Sequence, residues 1–233
     1  MFASNSSFAG AFDFIIFDSS TFPVVLLSNS CSFSDKKSFS TLYELNTKLV
    51  LTDENRKVAD TFFKENTIEG KCLVVNPFIG GSAKNITDEQ YVSILKKVKE
   101  EMPDLNIIVT SHISDEERNE KFCKDIGKDK VFSFSNGASI LNTASIIDRA
   151  DVYFGASTGP THIAGALGKR IVAIYPNKKT QSITRWGVFG NSNVEYIVPD
   201  ENNPNEDYKN PYFDNFTVEM EDKAVKYILE GLK

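Results

Sequence analysis

Histidine, tryptophan and cysteine are nearly absent from this chain of 233 residues: it has two, one and three of them. The cysteines (Cys31, Cys72 and Cys123) are widely spaced and form no Cys-x-x-Cys pair, and with only His112 and His162 beside them no zinc-type ligand set is available. Three reduced, mostly buried thiols are the expectation. No run approaches the roughly 18 apolar residues that span a bilayer. The first basic residue is Lys36, and Asp13 and Asp18 interrupt the apolar stretch Phe12 to Phe17, so the start lacks the pattern of a secretory signal. There is no polybasic tail, and a net charge of -6 with a pI near 5.1 makes nucleic acid an unfavourable partner. What is present is an ordinary globular composition, 41% hydrophobic and 25% charged, with enough length for about one and a half domains.

The organisation changes along the chain. Eleven serines and eight phenylalanines crowd into Met1 to Ser40, where Phe12 to Phe17 reads as a short buried strand and Val24 to Leu27 as a second apolar segment. From Lys71 onward short β-branched runs alternate with helical stretches. Strands are predicted at Cys72–Asn76, Leu105–Thr110, Val131–Phe134, Asp151–Gly155, Ile171–Tyr175 and Val194–Val198, nearly continuously apolar as in a parallel sheet covered on both faces. Capping boxes at Thr87 with Gln90 and at Ser114 with Glu117 open helices at Asp88–Glu101 and Asp115–Ile126. Further helices are predicted at Ser139–Arg149, at Pro160–Leu167 with Gly168 as a left-handed cap, and at Val218–Leu232 beyond a polar loop from Glu201 to Tyr212. The alternation defines a doubly wound, Rossmann-like α/β fold.

In such a sheet ligands lie beyond the carboxyl ends of the strands. The loop after the first strand, Pro77 to Asn85, has paired glycines that admit a close ligand and a lysine, Lys84, as a point charge. After the fourth strand comes Ala156-Ser157-Thr158-Gly159-Pro160-Thr161-His162. The amides and partial positive charge at the start of that helix suit a phosphate or pyrophosphate, although Ser157 and Thr158 are equally explained as helix caps. After the fifth strand come Lys178, Lys179 and Arg185. No Asp or Glu occurs from Val152 to Val194, where Lys169, Arg170, Lys178, Lys179 and Arg185 make a basic block that predicts a positive pocket. The loop Ser111 to Glu117 carries acids that could accept from ribose hydroxyls, Glu117 among them.

The stretch Tyr153-Phe154-Gly155-Ala156-Ser157-Thr158-Gly159-Pro160-Thr161-His162-Ile163-Ala164-Gly165-Ala166-Leu167-Gly168 resembles the signature of the heptosyltransferases, glycosyltransferase family 9. Asn76-Pro77 with Ser82 and Lys84, and Arg185-Trp186-Gly187, extend the resemblance over about Lys71 to Gly190. It implies a GT-B fold of two facing Rossmann-like domains. Residues 1–66 would be the remnant of a truncated amino-terminal, acceptor-side domain, and residues 67–233 the nucleotide-sugar-binding domain. It further implies inverting transfer of a sugar from a nucleotide-diphosphate sugar, ADP-heptose above all, to a lipopolysaccharide or lipooligosaccharide core. In that reading the partners are the nucleotide sugar and a saccharide or glycolipid acceptor, and the protein is cytoplasmic, working at the cytoplasmic face of the inner membrane. Substrate-binding residues by this resemblance are Lys84, Glu117, Ser157, Thr158, Gly159, Pro160, Thr161, His162, Lys178, Lys179 and Arg185. No metal or other cofactor is implied, in keeping with the lack of an Asp-x-Asp motif.

Two departures qualify the resemblance. Ser157 stands where many members carry Asp, so no role of that carboxylate carries over. The front of the chain has no match to the glycine-rich loop that holds the family's proposed general base, and neither Asp13 nor Asp18 sits in such a loop; the catalytic base is not identified. The alternatives are a non-catalytic nucleotide-sugar-binding module, or one half of a split enzyme completed by a separately encoded amino-terminal half or by a second copy. A GT-B epimerase is the weaker third reading, since more acids would be expected around the same helix.

Overall fold

The computed structural model describes residues 47–80, 83–137, 139–199 and 210–233. The predicted strand at Phe12 to Phe17, Val24 to Leu27, Asp13, Asp18, Cys31, Ser82 and most of the loop Glu201 to Tyr212 lie outside the described residues. Six parallel strands form one sheet: β1 (Cys72–Asn76), β2 (Asn106–Ser111), β3 (Val131–Ser135), β4 (Val152–Ala156), β5 (Arg170–Ile174) and β6 (Val194–Ile197), in the spatial order β3-β2-β1-β4-β5-β6. β1, β2 and β4 are buried along their whole length, which is why their sequences lack the alternation of a half-exposed strand. The chain runs outward from β1 to β3, returns to the other side of β1 at β4, and continues to β6. The reversal between β1 and β4 is the topological switch point, where such sheets form a crevice.

Helices cover both faces. α2 (Asp88–Glu101), α3 (Glu116–Ile126) and α7 (Val218–Gly231) pack on one, against Leu73, Val75, Ile107, Val109 and Phe154. α1 (Asp53–Glu65), α4 (Ile140–Asp148) and α5 (Gly159–Ala166) pack on the other, against Val74, Ile108, Tyr153 and Ala173. A short helix, α6 (Ile183–Trp186), follows β5. The Thr87–Gln90 capping box forms as the sequence predicts, with mutual bonds of 3.3 and 3.0 Å. Gly168 takes the left-handed conformation, φ +69°, and ends α5 by donating to the Gly165 carbonyl at 2.9 Å.

Two features differ from the sequence-based expectations. The Ser114–Glu117 capping box is not made: a 3-10 turn occupies Ile113–Asp115, capped by His112 Nδ1 accepting from the Ser114 amide at 3.2 Å, and α3 opens one residue late at Glu116. The imidazole competes successfully for the amide because it lies two residues away, within reach of a tight local turn. Helix α1 was not anticipated, although Thr52 and Asn55 give it a full capping box. It seats Ala59 and Phe63 beside Ile146 and Ile147, and is tied to the end of α4 by Arg149 Nη1 to Asp60 at 2.6 Å. The described part of residues 1–66 therefore contributes a layer to the same core. Both described cysteines, Cys72 and Cys123, are free and buried, and burial pushes each thiol up to about 12.

Candidate functional site

The site is built around the turn from β4 into α5. Gly155 is needed there because a Cβ would stand 2.7 Å from the Tyr153 hydroxyl and 3.1 Å from the Asn76 carbonyl oxygen. β1 and β4 thus approach closely at the switch point, and the chain turns out of the sheet at Ala156. Thr161 reaches back into the core, its hydroxyl donating to the Ala156 carbonyl and lying 3.2 Å from the Tyr153 hydroxyl. Its amide and that of His162 both return to the Thr158 carbonyl, at 3.1 and 3.4 Å. Pro160 has no N–H, so Gly159 and Thr158 open the helix with amides that helix geometry leaves unpaired.

Two clefts meet at this opening. The first, about 390 Å³, is lined by Ser157, Thr158, Gly159 and His162 on one side and by Ala83, Thr180, Gln181 and Trp186 on the other. The second, about 430 Å³, runs from Thr158, Gly159 and Pro160 over Asn76 to Gly80, across Ser111, His112, Ser114 and Asp115, to Asn136, Ile140 and Thr143. Asn76 is held in place by donating to both the carbonyl and hydroxyl oxygens of Thr110 at 3.0 Å. Phe78 is held by Arg118, whose guanidinium lies 4.7 Å from its ring centre while pairing with Asp88 at 2.7 and 2.9 Å. His162 is half-buried, and burial lowers its pKa from the usual 6.5, so the imidazole in the first cleft is neutral at pH 7. An adjacent apolar groove of about 940 Å³ shares α6 with the first cleft.

The residues singled out in the sequence divide accordingly. Ser157, Thr158, Gly159 and His162 line the first cleft, and Pro160 lines the second. Thr161 does not face either cleft: its side chain is fully buried and serves the turn. Lys84 is 9% exposed, next to the cleft-lining Ala83, in a loop pinned by Asn85. Asn85 donates to the Pro77 carbonyl at 2.7 Å and accepts from the Tyr91 hydroxyl at 3.0 Å. Glu117 is exposed on α3 and outside both clefts; the acid that lines the second cleft is Asp115, brought in by the 3-10 turn. Lys178 and Lys179 stand just before Thr180 without lining the first cleft, and Arg185 lines the neighbouring groove. Lys169 and Arg170 lie at the opposite edge of the sheet, bonded to the Asp148 carbonyl at 2.5 Å and to Glu195 at 3.3 Å, so the basic block does not converge on one pocket. Trp186, Gln181, His112 and Asn136 are site residues that the sequence analysis did not select. Two of them had a readable signal: Trp186 belongs to the Arg185-Trp186-Gly187 element, and His112 to the loop Ser111 to Glu117 beyond the second strand. Among the described residues no group of three or more His, Cys, Asp or Glu is gathered as a metal site, and no helix is long and apolar enough to cross a membrane.

A helix opening flanked by two clefts, at the switch point of a doubly wound parallel sheet, defines a Rossmann-like α/β domain. The chain belongs to glycosyltransferase family 9 (heptosyltransferase), which it matches over residues 26–212. Its fold is similar to that of the family 9 glycosyl transferase of Veillonella parvula, with a TM-score of 0.64 and 13% identity over 79% of this chain and 53% of that one. It is also similar to E. coli ADP-heptose lps heptosyltransferase II, with a TM-score of 0.60 and 12% identity over the same shares, 79% and 53%. E. coli heptosyltransferase WaaC, solved with ADP, superposes with a TM-score of 0.55 and 16% identity over 73% of this chain and 48% of that one. By sequence, a Haemophilus influenzae protein named "Putative glycosyltransferase" is 26% identical over 136 residues, 57% of this chain and 38% of that one. The fold is thus of the GT-B type, and the chain spans about half the length of these solved relatives.

Proposed function

We propose that this chain carries the donor-binding half of a glycosyltransferase of the heptosyltransferase type, which transfers a sugar with inversion from a nucleotide-diphosphate sugar, ADP-heptose foremost, to a lipopolysaccharide-type core acceptor. The observation that carries the reading is the pair of clefts joined at Thr158 and Gly159. A diphosphate seated on the helix opening places its nucleoside in the second cleft, where Asp115 accepts from ribose hydroxyls in the role first given to Glu117, and its sugar in the first, against His162 and Trp186. The E. coli relative solved with ADP supports an adenine nucleotide.

In the transfer step the bond from the anomeric carbon to the phosphate oxygen breaks, the acceptor oxygen bonds that carbon from the opposite face, and the acceptor proton passes to a base. Negative charge grows on the departing diphosphate. Amides fixed at the helix opening, with Lys84 beside the first cleft, stabilise it where it develops, without a metal. Among the described residues the first cleft is lined by one neutral imidazole and no carboxylate. The family's proposed base belongs to the amino-terminal half, so a donor-binding module completed by such a half, on this chain or another, is the second reading. A glycolipid acceptor places the reaction at the cytoplasmic face of the inner membrane.

Calorimetric titration with ADP and UDP tests binding: ADP saturates the site at micromolar to low millimolar concentration, and no heat with either nucleotide overturns both readings. Transfer from ADP-heptose to a core acceptor, measured with and without an added amino-terminal domain, then separates them.

A further inference from the structure

Tyr175 follows β5 directly and is fully buried. Three other tyrosines packed on the sheet have bonded hydroxyls: Tyr91 donates to Asn85 Oδ1 at 3.0 Å, Tyr153 lies 3.2 Å from Thr161 Oγ1, and Tyr196 accepts from the Val188 amide at 2.8 Å. Tyr175 differs. Its ring is packed edge-on against Tyr196 at 5.2 Å, yet its hydroxyl makes no hydrogen bond of normal geometry among the described residues. A phenylalanine would fill the same space without burying a hydroxyl whose contact with Ser157 falls outside normal hydrogen-bond geometry, so the oxygen adds little to the free fold and calls for an explanation outside it. The polar side chain within its reach is Ser157, which lines the first cleft at the mouth of α5.

We propose that Tyr175 is a positioning residue for the anionic donor: when ligand enters the first cleft, the Tyr175 hydroxyl donates to Ser157 Oγ and thereby commits the Ser157 O–H as a donor to a ligand oxygen. A serine hydroxyl is otherwise a free rotor, able to accept as well as donate. Occupying its lone pair from below removes the orientations that would turn the oxygen toward an anion. Burial pushes the phenol up to about 12, so it remains a neutral donor throughout the physiological range.

This inference rests on the nucleotide-binding reading above, and the test separates the two. ADP titrations and thermal unfolding are compared for the full chain, Tyr175→Phe, Ser157→Ala and the double variant. Tyr175→Phe leaves the unfolding temperature of the free protein unchanged or raises it by up to about 3 °C, while ADP affinity falls about 3- to 10-fold. The double variant binds no more weakly than Ser157→Ala alone. A lower unfolding temperature for free Tyr175→Phe, an unaltered ADP affinity, or losses that multiply in the double variant each overturn the proposal. Failure of the unsubstituted chain to bind ADP overturns the nucleotide reading instead, and the inference with it.

Discussion

The two ends of the sheet use their polar residues in opposite ways. At the amino ends of the strands, charged side chains are matched to one another and to loop backbone. Asp151 accepts from the Cys72 amide at 2.8 Å and pairs with Lys71 at 3.6 Å, Lys130 meets Asp104 at 2.9 Å, and Arg170 meets Glu195 at 3.3 Å. At the carboxyl ends the residues are glycines, hydroxyls, side-chain amides, the imidazoles of His112 and His162, one exposed indole and one carboxylate, arranged around open space. Charge pairs therefore lock the amino ends, while the clefts are lined by neutral groups and the single carboxylate of Asp115. The basic block between Val152 and Val194 illustrates the point, since β5 carries Arg170 at one end of the sheet and delivers Thr180 and Gln181 to the other. A helix N-terminus supplies positive potential to a ligand without the desolvation that a buried cation would require.

This contrast can be broken at several places. The largest effect is expected for Gly159→Val: a Cβ there meets nothing within 4 Å, so the fold holds, while the branched side chain occupies the helix mouth and ADP affinity falls by more than about 100-fold in calorimetry. Unfolding at a much lower temperature would place Gly159 in the scaffold instead. Lys84→Ala should weaken ADP by about 1 to 3 kcal/mol through loss of a charge-assisted contact, and an unchanged affinity at low salt would remove Lys84 from the site. At the opposite end, Asp151→Ala should lower stability in urea by about 1 to 2 kcal/mol with ADP binding intact; a binding defect there would mean that the two ends are coupled.

Smaller effects distinguish neighbours. Asp115→Asn should reduce ADP affinity about 3- to 10-fold and Glu117→Gln should leave it unaltered, and the reverse result would restore the acid chosen from the sequence. For His162, whose folded pKa lies below the usual 6.5, stability is fully present above pH 6.5 and is lost as pH falls through the lowered value, because the unfolded chain takes up the proton first. A bound diphosphate opposes that shift by favouring the imidazolium. NMR titration of the imidazole, with only His112 as a second signal, should show the His162 pKa rising on ADP binding. No movement would put the anion out of its reach.

Much of this was legible in the chain itself. Continuous apolar runs such as Leu73 to Val75 and Ile107 to Val109 mark strands buried on both faces, and Thr87 with Gln90 marks the start of α2 to the residue. The turn Ser157 to His162 could be recognised because its shape depends on small and ring-closed residues, which local sequence specifies directly. Helix α1 lies in the stretch read as the remnant of another domain, and Ala59 and Phe63 acquire meaning only against Ile146 and Ile147.

Local order of residues thus determined the alternation of strand and helix, the family and the turn from β4 into α5, since propensity, capping and helix polarity act over a few neighbouring positions. Only the tertiary structure decided which acid reaches the second cleft, that Thr161 faces inward, that Lys169 and Arg170 belong to the far edge, and that the Tyr175 hydroxyl is buried beneath Ser157. Each of these depends on where a side chain points once distant segments have packed, and that direction is set by long-range contacts and by competition for hydrogen-bond partners.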